Sequence, residues 1–143
     1  MKTTGDQPVS PPSDPVLLIE DNDRMRPALA RLLRYQGYQV VEMHDGQDAW
    51  DYLQRGGRAS VIVLDLVMPR LDGRRFRAKQ LQDAECAQIP VVVFTADQGD
   101  PLPDVAGYVR KTDAGSLLDL IALAAHVPAL KATPWPASRH VRG

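Results

Sequence analysis

The sequence predicts an α/β fold, a five-stranded parallel sheet with helices on both faces. Three observations predict it. Short runs such as Val61-Ile62-Val63-Leu64 and Val91-Val92-Val93-Phe94 are apolar at every position, as strands covered on both faces are. Segments with helical spacing of apolar residues separate those runs, the alternation that builds a parallel sheet. The chain of 143 residues, 44% hydrophobic and 24% charged, is one ordinary domain with enough core to fold without disulfides or structural metal.

Val16-Leu17-Leu18-Ile19 is the first strand, ending at Glu20-Asp21-Asn22-Asp23, which holds good N-cap residues. Met25, Leu29, Leu32 and Leu33 then recur at helical spacing, with Pro27 tolerated near the first turn and Gly37 as the stop. Gln39 to Met43 reads as the second strand. A helix follows over about Asp45 to Gln54, with Ala49, Trp50 and Leu53 inward and Gly56-Gly57 behind it. The third strand, Val61 to Leu64, ends directly at Asp65. Pro69 and Asp72-Gly73 mark a loop, and a poorly amphipathic helix runs from Gly73 to Gln82, offering the core only Phe76, Ala78 and Leu81. Val91 to Phe94 is the fourth strand, ending at Thr95; Ala106 to Arg110 is the fifth, and Ser116 to Ala125 the last helix.

The connection between the fourth and fifth strands is short. Residues 96–105 must return along a strand, about 17 Å. As a helix those ten residues would rise only about 15 Å, leaving nothing for turns, whereas extended they reach about 33 Å. Asp97-Gln98-Gly99-Asp100-Pro101-Leu102-Pro103-Asp104 is also hostile to a helix interior. A loop with at most one short turn is expected, leaving a sheet face bare for a second copy, a partner or a tail to cover.

The ends read differently. Seven of the twelve prolines lie in residues 1–15 and 128–136. Residues 1–14 and 128–143 are therefore expected to be flexible tails around a domain at 15–127, with Trp135 able to anchor the rear one. The balance of 17 basic and 18 acidic residues argues against a nucleic-acid-coating or polybasic membrane-surface protein. One cysteine, Cys86, excludes an intramolecular disulfide and a multi-cysteine zinc site, and it reads as inert apart from oxidation if exposed. His44, His126 and His140 have no metal-ligand spacing. With no signal peptide or membrane span, the expected location is cytoplasmic.

Polar residues collect where an open parallel sheet forms its sites, at the carboxyl ends of strands. Glu20 and Asp21 follow the first strand, Asp65 the third, Thr95 the fourth and Lys111 the fifth. In a 2-1-3-4-5 order the first and third strands are neighbours, so three carboxylates converge. They repel unless a cation intervenes, and a hard divalent ion such as Mg2+ answers that need. One such acid is usually a helix cap or turn residue; acid, alcohol and amine at four strand ends are not.

The segments VLLIEDN at 16–22, VIVLDLVMPRLDG at 61–73, PVVVFTA at 90–96 and GYVRK at 107–111 resemble the receiver domain of bacterial two-component response regulators. The resemblance covers about residues 15–127 and implies a flavodoxin-like sheet in order 2-1-3-4-5. It implies that Asp65 accepts a phosphoryl group from a phosphohistidine, and that Glu20, Asp21, Asp65 and the backbone carbonyl of Val67 hold Mg2+. Lys111 would pair with phosphoryl oxygens, Thr95 would move to hydrogen-bond one, and Tyr108 would rotate with it. Small Ala96 leaves room for the donor. Thr112 stands where the family usually carries proline, so a trans bond is expected after Lys111, because a cis bond there costs about 3 kcal/mol.

The function this implies is a stand-alone phosphorylation switch that catalyses only its own phosphorylation and dephosphorylation. The expected partners are a sensor histidine kinase or phosphotransfer protein and an unidentified downstream protein, with no DNA-binding domain, no membrane, and room for a homodimer. A receiver-like module that only binds is disfavoured by the retained acids, Thr95 and Lys111. A phosphohydrolase of the haloacid dehalogenase type would need an Asp where Val67 stands. No Gly-rich loop follows the first strand, against a nucleotide-binding protein.

Overall fold

In a computed structural model, which describes residues 13–96, 102 and 104–126, five parallel strands form one sheet in the order β2-β1-β3-β4-β5. The strands are β1 (Val16–Ile19), β2 (Val40–Met43), β3 (Val61–Leu64), β4 (Val91–Thr95) and β5 (Gly107–Arg110). The helices are α1 (Met25–Tyr35), α2 (Gly46–Gln54), α3 (Gly73–Leu81) and α4 (Ala114–His126), four among the described residues. The period of two sorts each strand onto two cores. Leu17, Ile19, Ile62, Leu64, Val91 and Val93 face α2 and α3, together with Ala49, Leu53 and Phe76. Val16, Leu18, Val61, Val63, Val92 and Phe94 face α1 and α4, with Leu29, Leu33, Leu117 and Ile121. Among the described residues no helix is long and apolar enough to cross a membrane.

The helix starts follow from side-chain caps. Asn22 Oδ1 accepts the N–H groups of Arg24 and Met25 at 2.9 and 2.8 Å. Asp45 and Asp72 each accept the N–H three residues on, opening α2 and α3. Asp113 does the same for Ser116, which starts α4 two residues before the expected Ser116.

Two helix faces differ from the sequence reading. In α1 the buried stripe runs through Leu29, Ala30 and Leu33, so Leu32 falls on its flank, 42% exposed. In α3 the stripe is Gly73, Phe76, Arg77 and Gln80, the i, i+3, i+4, i+7 set, while Ala78 and Leu81 point to solvent. Two long polar side chains thus occupy core positions. Gln80 donates to the carbonyls of Cys86 and Ile89 at 2.8 and 3.0 Å and accepts from Arg77 Nη1 at 2.8 Å, which satisfies its amide.

Between β4 and β5, none of the described residues is helical. Residues 97–101 and 103, like the tails and Trp135, lie outside the described residues. The expected bare face on β4 is not there: all five residues of β4 are buried. Leu102 and Val105, read in the sequence as loop, fold back into the core beside Val91, Val93 and Phe76. Arg77 Nη2 fastens them by donating to the Asp104 carbonyl at 2.7 Å. Burial pushes the Arg77 guanidinium below its ordinary range, with Asp104 acting the other way.

Candidate functional site

The strand register brings the strand ends to one rim. Ile19 is level with Leu64, Leu64 with Val93, and Thr95 with Arg110. The ladder continues one residue further, with Asp65 N–H on the Ile19 carbonyl at 3.2 Å and Lys111 N–H on the Thr95 carbonyl at 3.3 Å. Glu20, Asp65, Thr95 and Lys111 therefore leave adjacent strands at the same edge, as the sequence reading expects.

Their side chains meet. Lys111 Nζ lies 2.8 Å from Glu20 Oε1 and 3.0 Å from Asp65 Oδ2. The Thr95 hydroxyl donates to Asp65 Oδ1 at 3.0 Å, and the Val67 N–H donates to the same oxygen at 3.2 Å. Glu20 Oε2 accepts the Asn22 N–H at 3.0 Å. Glu20 and Asp65 are almost wholly buried, whereas Asp21 is exposed at the mouth. Asp21, Asn22, Asp65, Val67, Thr95, Ala96 and Lys111 line an open cleft of about 440 Å³. Tyr108 pairs with Val93 and packs half-buried on the α2–α3 side of the sheet. No peptide bond among the described residues is cis, and Lys111 reaches Asp65 without one.

The electrostatics favour a divalent cation. Carboxylate oxygens of Glu20, Asp21 and Asp65 lie within 4.8 Å of one another. Three carboxylates against one ammonium leave an excess of two negative charges. Burial pushes the Glu20 carboxyl above the usual range, an effect Lys111 and the Asn22 N–H partly offset. Burial works to lower Lys111, but its bonds to Glu20 and Asp65 outweigh this and hold the ammonium above its ordinary value. Hard oxygen donors on one side of an open cleft suit Mg2+, which keeps several waters.

The loop after Asp65 leaves little freedom. A Cβ on Gly73 would come within 2.3 Å of the Asp65 carbonyl oxygen and 2.7 Å of Leu66 Cα. Gly73→Ala is therefore expected to displace the Asp65 backbone, costing about 1–3 kcal/mol in urea unfolding and slowing any chemistry at Asp65.

Other candidates stay outside. Cys86 is buried in a short 3-10 turn, Cys86–Gln88, and burial pushes its thiol to about 11, so the oxidation that exposure would allow is disfavoured. His44 is less isolated than its spacing implies: it lies 3.1 Å from Asp48 and 3.5 Å from Asp45. Arg70 already spans both acids, a contact across 25 residues that no local sequence pattern signals. His126 ends α4, and His140 lies outside the described residues.

Similarity to known proteins follows the same residues. A family model described as the response regulator receiver domain matches residues 16–113. Response regulator MprA of Mycobacterium avium strain 104 is 37% identical over 101 residues, covering 71% of this chain and 41% of that protein. Transcriptional regulatory protein AfsQ1 of Streptomyces coelicolor is 36% identical over 115 residues, covering 73% and 47%. The chain thus spans less than half the length of these curated relatives. Among solved structures, the Mn(2+)-bound form of response regulator Rcp1 superposes with a TM-score of 0.62 at 25% identity, covering 83% of this chain and 94% of that one.

Proposed function

Because this chain belongs to the response regulator receiver domain family, we propose that it accepts a phosphoryl group on Asp65 and signals through phosphorylation-dependent protein binding. The observation that carries the reading is the set of contacts on one buried carboxylate. Asp65 Oδ1 holds the Thr95 hydroxyl, Oδ2 holds the Lys111 ammonium, and the Glu20 and Asp21 carboxylates stand beside them.

Phosphoryl transfer needs positioning and charge neutralisation more than covalent assistance. An Asp65 oxygen is the nucleophile; the P–N bond of a phosphohistidine breaks as the O–P bond forms. Glu20, Asp21, Asp65 and the Val67 carbonyl would hold Mg2+, which would neutralise charge on the transferring phosphoryl group. Response regulator Rcp1, solved in a Mn(2+)-bound form, is a similar protein that takes a divalent ion. Lys111 pairs with a phosphoryl oxygen. Thr95 exchanges its bond to Asp65 for one to the phosphoryl group, and Tyr108, on the same side of the sheet, follows. Ala96 keeps the cleft open to the donor, a sensor histidine kinase or phosphotransfer protein. The chain acts on no other substrate in this reading.

Incubation with acetyl phosphate and Mg2+ is expected to add one acid-stable, base-labile phosphate, mapped to Asp65 by peptide mass spectrometry and absent in Asp65→Asn. Equal labelling of Asp65→Asn would overturn the assignment.

A further inference from the structure

The loop from Asp65 to Asp72 carries the proposed nucleophile and the Val67 backbone. It is held close to Asp65 by the Val67 N–H on Oδ1 and by the Gly73 N–H on the Leu66 carbonyl at 3.1 Å. Further along it has a second attachment, to α2. Arg70 adopts a left-handed backbone with φ 62°, which is unfavourable for a residue with a Cβ and persists only where surroundings impose it. Its guanidinium forks onto two acids. Nε donates to Asp45 Oδ2 at 2.7 Å, and Nη2 donates to Asp45 Oδ1 at 3.0 Å and Asp48 Oδ1 at 2.9 Å.

The Arg70 side chain is itself 55% exposed, but the carboxylate it forks onto is not. Asp45 is 2% exposed and also caps α2 by accepting the Asp48 N–H at 2.9 Å. Burial acts to raise its pKa, but Arg70 and the Asp48 N–H outweigh burial and hold the carboxyl below its usual range. Next to the fork, the Leu71 carbonyl oxygen lies where a Cβ on Gly46 would come within 2.3 Å. The loop backbone is thus seated on the first turn of α2 and tied there by a bidentate pair, the geometry that fixes orientation as well as distance. Arg70 does not line the cleft.

We propose that Arg70 is a positioning residue: its fork onto Asp45 and Asp48 holds the loop so that Asp65 and the Val67 backbone keep the arrangement phosphoryl transfer requires. The inference rests on the phosphoacceptor reading of Asp65. Groups bonded directly to a metal ligand typically change affinity or activity 10–100-fold when removed, and Arg70, acting through the loop backbone, belongs at the low end of that range.

The test uses Arg70→Ala, Arg70→Lys and Asp45→Asn. The last keeps an oxygen that caps α2, so it reports on the charged fork even if Arg70→Ala fails to fold. Phosphorylation rates with acetyl phosphate, the Mg2+ concentration giving half the maximal rate, and amide exchange of residues 66–71 are measured on the same samples. Arg70→Ala and Asp45→Asn are expected to slow phosphorylation about ten-fold and to speed exchange in 66–71, with β1 and β3 unchanged. Arg70→Lys should fall between, since one ammonium cannot fork. Rates within two-fold of wild type despite faster loop exchange would overturn the positioning role, leaving the fork purely structural. A wild-type chain that takes up no phosphate would instead overturn the phosphoacceptor reading, and the positioning role with it.

Discussion

Lys111→Ala is expected to slow phosphoryl uptake from acetyl phosphate roughly 10²–10³-fold, the usual loss for one donor to developing negative charge, while tightening Mg2+ binding. The opposite signs follow from one geometry. The Lys111 ammonium bonds to both Glu20 and Asp65, so it competes with any metal for the same oxygens. Removing it leaves the three carboxylates without that ammonium, which favours the metal and deprives the phosphoryl group of its partner. Calorimetric Mg2+ titration beside a rate measurement separates the two effects. Lys111→Arg should recover little transfer, because the guanidinium is wider and differently shaped. Stability should also respond to pH. Burial already raises Glu20 above 4.5, and Lys111 is the largest influence opposing that rise. Losing it raises Glu20 further. A carboxyl with a higher pKa folded than unfolded stabilises the fold in acid and loses that contribution as pH climbs through the folded value. The variant's unfolding free energy should therefore fall more steeply than the wild type's from about pH 4.5 towards neutrality, read by urea titration at several pH values. Weaker Mg2+ binding, or a flat pH difference, would count against this arrangement.

Gln80→Leu is expected to destabilise the protein by about 3 kcal/mol, although it replaces a buried polar residue with an apolar one of similar size. Gln80 is fully buried, and its amide joins α3 to the turn that leads into β4. The Cys86 carbonyl would keep the Ile89 N–H as a donor. The Ile89 carbonyl and Arg77 Nη1 would each lose their bond to Gln80. The buried Arg77 Nη1 left without a partner costs about 1–3 kcal/mol, the half-buried Ile89 carbonyl less, and leucine returns only the transfer energy of its side chain. Gln80→Glu keeps the acceptor for Arg77 but not the donors, so it should not rescue. A change in urea midpoint worth less than about 1 kcal/mol, with the slope preserved, would mean that water replaces those bonds.

The site was more legible than its supports. Glu20, Asp65, Thr95 and Lys111 stand immediately after apolar runs, and a parallel sheet brings strand ends together whatever the helices do. The inward face of α3 was hidden because hydropathy periodicity counts Arg77 and Gln80 as outward, though helical spacing from Phe76 places both beneath the helix. The cover of β4 was hidden for a related reason. Leu102 stands between two prolines, which announce a loop, and nothing local shows that such a loop folds inward. The Arg70–Asp45 fork joins residues 25 apart, so only the packed chain displays it.

The level strand register also decides which changes in chain length the protein can absorb. Side chains alternate between two cores, so losing or gaining one residue within Val61–Leu64 would exchange the faces of Ile62 and Leu64 with those of Val61 and Val63. It would also turn Asp65 away from Thr95 or carry it past Lys111. The connections 36–38 and 55–59 lie at the opposite edge, where β2 and β3 begin, away from the carboxylates. Insertions there lengthen turns without shifting the rim. Drift by insertion and deletion is therefore easier at the turns that open β2 and β3 than anywhere along the rim.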